Sequence, residues 1–198
     1  MKSKDFFSEF SYEKLKKAIN NIPNDKAKDI YALSFYFYAE DDDSRYPTIE
    51  VSYNTNQQYT NETENASSET EAKWNYAFWL QEEIEKIGGE EDKLLAKWFK
   101  ETPYYYSEEE NEEAEDDDEL FDKLLERGEQ FETEFVNEIS ILTQKLFDHN
   151  VIKEKFGKEI PILIHELEYY DKPIEWTKKA NKPEIIEEFI KAYNDGKI

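Results

Sequence analysis

The chain has no cysteine, and among its 198 residues there are only five glycines, one methionine and two histidines. Without a thiol there is no disulfide framework, no thiolate metal site and no cysteine nucleophile. With glycine so scarce, a loop that cradles phosphate with backbone amides has little to be built from, and no P-loop, GxGxxG, GxSxG or HExxH pattern occurs. No cofactor is implied. Long apolar runs are missing too. The opening MKSKDFFSEFSYEKL is broken by charge every few residues, so it reads as neither a signal peptide nor a membrane span, and a cytoplasmic location is expected. Base is in short supply: 25 Lys and Arg face 48 Asp and Glu, for a formal net charge of -23. Nucleic acid and anionic membrane surfaces are therefore poor partners, because phosphate binding draws on clustered Lys and Arg. A basic protein is the natural complement.

What the chain does have is acid and aromatic rings. Residues 107–119 read SEEENEEAEDDDE, ten carboxylates without one base, and Glu40 to Asp43 add four more. Like charges this dense repel one another, so the longer run is expected as a solvated insertion in a single domain spanning residues 1–198. Removing both runs still leaves -23 + 14 = -9, so the body of the protein is acidic as well. Thirteen Phe, fourteen Tyr and four Trp supply the material for one sizeable, ring-rich core.

Periodicity divides the rest. Phe6, Phe7, Phe10, Leu15, Ala18, Ile19 and Ile22 recur at near-helical spacing, closed by Pro23-Asn24-Asp25. Asp29 to Ala39 reads as a strand, and Pro47 to Asn54 alternates Ile49, Val51 and Tyr53 against Thr48, Glu50 and Ser52, as a half-exposed strand does. The two form an antiparallel hairpin with the Glu40 to Asp43 acids at its tip. Tyr59 to Thr70 reads as a loop. Glu71 to Ile87 is expected as a helix carrying Trp74, Phe78, Trp79 and Ile84 and stopped by Gly88-Gly89, and Asp92 to Lys100 as another, ended by Pro103. Leu120 to Asp148 sustains the longest helical period, with an interruption expected near Gly128. Glu159 to Leu167 is a third strand, and Pro183 to Tyr193 a closing helix with Gly196 just past its end. The expected fold is α+β: a small, mainly antiparallel sheet, made of a two-strand hairpin plus a C-terminal strand, packed with about five helices.

Catalytic candidates are few. His149 falls where the long helix ends and suits contact with terminal carbonyls; His165 reads as a polar strand residue rather than a general base. Glu40 to Asp43 lacks the spacing of a calcium loop, so no metal site is assigned. Trp74 and Trp79 read as core. The partner-binding candidates are Tyr104, Tyr105 and Tyr106, three consecutive rings that cannot all face one core, together with Glu108, Glu109, Glu110, Glu112 and Glu113 beside them and Trp176 after the last strand.

In order, DIYALSFYFY, a second strand ending in Asn54-Thr55, KWNYAFW, a long helix, ILIHELEYYD and EWTKKANKPEIIEEFI resemble the bacterial domain of unknown function 4303 family over most of the chain. The resemblance implies an α+β domain of a kind found in toxin-immunity neighbourhoods and supplies no catalytic residues. The block 107–119 departs from the pattern as an insertion, and TKKANKPE matches its ending only loosely. Three functions stand open: an immunity-like or regulatory protein that captures a basic partner such as a toxin, a scaffold module with another partner, and an enzyme or small-ligand binder built on a carboxylate pocket.

Overall fold

The computed structural model describes residues 2–198, which form ten α-helices and one four-stranded sheet. In chain order these are α1 (Ser3–Asn21), α2 (Asn24–Ala27), β1 (Ile30–Ala39), β2 (Pro47–Thr55), α3 (Asn56–Glu62), α4 (Glu69–Trp74), β3 (Glu85–Gly88), α5 (Lys93–Lys100), α6 (Glu108–Glu113), α7 (Asp118–Asp148), α8 (Val151–Phe156), β4 (Ile162–His165), α9 (Asp171–Ala180) and α10 (Pro183–Asn194). The protein is α+β, with one strand and several short helices more than periodicity suggested. Strand order is β3-β2-β1-β4; the hairpin β1-β2 and the β2-β3 pair are antiparallel, while β4 runs parallel to β1.

One face of the sheet holds the main core. Leu33, Phe35 and Phe37 of β1, Ile49 and Val51 of β2 and Ile162 and Ile164 of β4 pack with α1, α5 and α7. Rings lock the layers: Phe7 lies 5.2 Å from Trp98 and 5.8 Å from Phe135, centroid to centroid. The stripe that α1 buries is Phe7, Tyr12, Leu15, Ala18 and Ile19; Phe6 and Phe10, one residue off that line, are exposed. Helix α7 runs uninterrupted through Gly128, where the missing side chain is the point: an added Cβ would fall 2.5 Å from the Cβ of Ser44.

The other face departs most from expectation. The β2 strand is not half-exposed, because Thr48, Ser52 and Asn54 are fully buried, and this face of the sheet carries a second cluster that includes Trp74, Tyr76, Trp79, Ile174 and Phe189. Residues 71–87 do not form one helix. Chain direction breaks at Asn75, which is extended and whose side-chain oxygen accepts from the Ala77 amide at 3.0 Å, so Trp74, Tyr76 and Trp79 all reach the sheet. That spacing fits no helical stripe. Ile87 ends up in β3, paired with Ile49. The expected loop at 59–70 carries the end of α3 and the start of α4, capped by Thr55 and Ser68, whose hydroxyls accept from Gln58 and Glu71 amides.

Both sheet edges are plugged by side chains. On β4, Thr177 Oγ1 accepts from the Ile164 amide at 2.9 Å and donates to its carbonyl, while Asn181 bonds the Ile162 amide and carbonyl at 3.0 and 2.7 Å, so α9 replaces a fifth strand. On β3, Lys14 Nζ donates to the Lys86 carbonyl at 2.7 Å.

Candidate functional site

The two acidic runs are brought together. The tip of the β1-β2 hairpin turns through Asp41 and Asp42, both left-handed with φ of 55° and 58°, a conformation that Asp tolerates better than most residues. It is closed by the Asp43 amide on the Glu40 carbonyl at 3.0 Å. The run 107–119 is not a loose loop. Ser107 Oγ accepts from the Glu110 amide at 3.2 Å and the Glu110 carboxylate accepts from the Ser107 amide at 2.9 Å, a capping box that starts α6. Asp117 then caps α7, accepting from the Glu119 and Leu120 amides at 3.1 Å each. Part of the repulsion is offset because Glu108, Glu109 and Glu110 in the first turn of α6 and Asp118 and Glu119 in that of α7 stand at the positive ends of helix dipoles.

Arg45 ties the runs to each other. Its Nε donates to the two Asp43 carboxylate oxygens at 2.9 and 2.8 Å, and a terminal nitrogen donates to Glu108 at 2.7 Å. The guanidinium, itself only 7% exposed, lies 5.3 Å from the Tyr46 ring centre and 5.6 Å from that of Tyr106. Hydrogen bonds to Asp43 and then Glu108 push its pKa upward against the cost of burial, so it is permanently charged. Burial and the Asp43 charge push the Tyr106 phenol up to about 12, so it stays neutral.

Between the hairpin tip, α6 and the first turns of α7 lies a cleft of about 620 Å³. The exposed carboxylates of Asp41, Asp42, Glu115 and Asp118 rim it, and Phe121, Leu124 and Leu125 give it an apolar lining. No lysine or arginine lines it among the described residues. Leu124 is buried, but Phe121 is 53% and Leu125 47% exposed.

The residues singled out from the sequence divide around this cleft. Tyr106 faces inward beside it, edge-on to Phe99 at 5.4 Å. Tyr105 is exposed and Tyr104 half-buried. Glu108 and Glu110 are engaged in the clasp and the cap, which leaves Glu109, Glu112 and Glu113 as the free carboxylates of α6. Trp176 is elsewhere: it is buried in α9, edge-on to Phe37 at 5.5 Å, so it is a core residue and not a contact surface. Sequence reasoning missed Asp41, Asp42, Arg45, Phe121 and Leu125 as a group. One signal was present, since Phe121 and Leu125 lie beside, not on, the line of Leu124, Gly128, Phe131 and Phe135 that α7 buries.

The histidines do other work. His149 caps the end of α7, its Nδ1 2.7 Å from the Tyr12 hydroxyl. His165 is fully buried on the second sheet face; its Nδ1–H donates to the Glu166 carbonyl at 2.7 Å, which leaves Nε2 to accept from the Ser34 hydroxyl at 2.8 Å. Burial lowers its pKa to about 4, so the ring is neutral at physiological pH. Tyr76 at 4.6 Å and Tyr169 at 5.5 Å cover the ring.

No protein-family model matches the chain, and no curated protein or solved structure is significantly similar to it. Among the described residues, no helix is long and apolar enough to cross a membrane.

Proposed function

We propose that this protein captures a basic protein partner, with the cleft between the hairpin tip and the start of α7 as the receiving surface. The observation that carries this reading is the convergence of two acidic runs, more than 60 residues apart in sequence, on a cleft that is partly lined by apolar side chains and whose neighbouring base, Arg45, is turned inward and fully engaged. Carboxylates at the rim steer a cationic surface toward the cleft, and exclusion of water from Phe121 and Leu125 holds it there. The resemblance to the domain of unknown function 4303 family favours an immunity-like or regulatory form of this activity, in which a basic toxin is occluded.

The test is capture from the native host with the full-length chain as bait, followed by mass spectrometry of what is retained. The expected partner is basic and is released as salt rises, because exposed charges are screened beyond about 8 Å at physiological ionic strength. Replacing Glu109, Glu112 and Glu113 with Gln should weaken retention. An acidic partner, or retention indifferent to salt and to these substitutions, would overturn the reading.

A further inference from the structure

The first two turns of α7 carry an apolar ridge that the fold does not cover. Phe121 and Leu125 are one turn apart, 53% and 47% exposed, and line a cleft of about 620 Å³, while Leu124 between them is buried and anchors the helix to the body. Large side chains left open singly are ordinary, but two at helical spacing in one cleft present a continuous strip.

Charge decides which occupant fits. A second copy of this chain carries the same net charge of -23 and is repelled, as is an anionic lipid surface. The rim of Asp41, Asp42, Glu115 and Asp118 accepts Lys or Arg, but carboxylates alone make no use of Phe121 and Leu125. A chain segment that meets both requirements has apolar side chains along one face and bases along its flanks. Resting on the reading above, we infer that the cleft docks a basic amphipathic helix of the partner, its apolar face on Phe121 and Leu125 and its flanking bases on the four rim carboxylates. This is recognition of a helix in a groove, with anchors at i, i+3 or i+4.

Two synthetic peptides of identical Leu and Arg composition test it against the full-length chain by fluorescence anisotropy at one ionic strength. One places Leu on a single helical face; the other scatters it. The amphipathic peptide should bind at least about tenfold more tightly, since burying part of two large side chains contributes on the order of 1.4 kcal/mol or more. The double variant Phe121→Ser, Leu125→Ser should bring the two peptides to the same affinity, and the variant Asp41→Asn, Asp42→Asn, Glu115→Gln, Asp118→Asn should weaken both. A photoreactive leucine in the amphipathic peptide should crosslink the unaltered chain within residues 118–125, which guards against a variant that folds poorly. If both peptides bind equally, or the preference survives the double Ser variant, or crosslinks fall elsewhere, the helix-docking inference is overturned while capture of basic proteins stands. If neither peptide binds at low ionic strength, both fall together.

Discussion

The two halves of α7 follow one apolar period and meet opposite fates. Beyond Gly128, Phe131, Phe135 and Ile139 are completely buried against α1, α5 and the sheet, and Phe135 lies 5.8 Å from Phe7 and 6.3 Å from Phe37. Before Gly128 Leu124 is buried and Leu120 half-buried against the core, while Phe121 and Leu125 stand open among carboxylates. Pattern sets Phe121 and Leu125 beside the buried line but goes no further, because a helical stripe says which side chains share a face and not what lies opposite. The difference lies in the partner surface: a packed core for one half, a charged cleft for the other.

The largest expected effect is in the buried half. Phe135→Ala should cost about 3 to 5 kcal/mol of stability by chemical denaturation, through lost burial and the cavity left behind. A loss below about 1 kcal/mol would mean that the second half of α7 is not the core element described.

Next in size is the acid response of the interior. The folded pKa of His165 is lowered to about 4, below the unfolded value near 6.5, so the unfolded chain binds the proton first. Its contribution is fully present above about pH 6.5 and is lost as pH falls toward 4, by about 3 kcal/mol in all. Stability curves of wild type and His165→Gln should therefore converge on acidification, with surface carboxylates titrating alike in both. Parallel curves would show that His165 is not held neutral by burial.

The boundary between the halves can be broken directly. Gly128→Ala sets a methyl group 2.5 Å from the Ser44 Cβ and should cost about 1 to 3 kcal/mol while displacing the hairpin tip from α7. If the variant is as stable as wild type, the tip is not seated on the helix. The smallest effect belongs to the open half: Phe121→Ser and Leu125→Ser should each change stability by no more than about 0.5 kcal/mol, because neither side chain is enclosed. A cost near that of Phe135→Ala would mean that they are part of the core.

Much of the fold was legible in the residues. The hairpin could be read because aromatic and β-branched runs flank an acidic turn, and α1, α5, α7 and α10 because period and breakers agree. Short elements were lost. β3 has four residues, α4 has six, and α9 opens with Pro173 in its first turn, a position that reads equally well as loop. The second sheet face was misread because several of its buried polar residues are paired internally, with Asn54 donating to the Tyr31 hydroxyl at 2.9 Å and Ser34 bonded to His165, while the Ser52 hydroxyl is buried without a partner. Polar alternation therefore signalled a second buried face and not exposure. As for the site, each acidic run was visible alone, but their meeting depends on the close approach at Gly128 and the clasp of Arg45, neither of which leaves a mark in local sequence.

Association kinetics bear most directly on the claim that the cleft receives a basic partner. The on-rate of the captured partner should be measured from about 0.05 to about 0.5 M ionic strength for wild type and for Asp41→Asn, Asp42→Asn, Glu115→Gln, Asp118→Asn. The account predicts a steep fall with salt for wild type and, for the variant, a slower on-rate at low salt with a visibly shallower slope. Identical slopes and rates for the two proteins would contradict it.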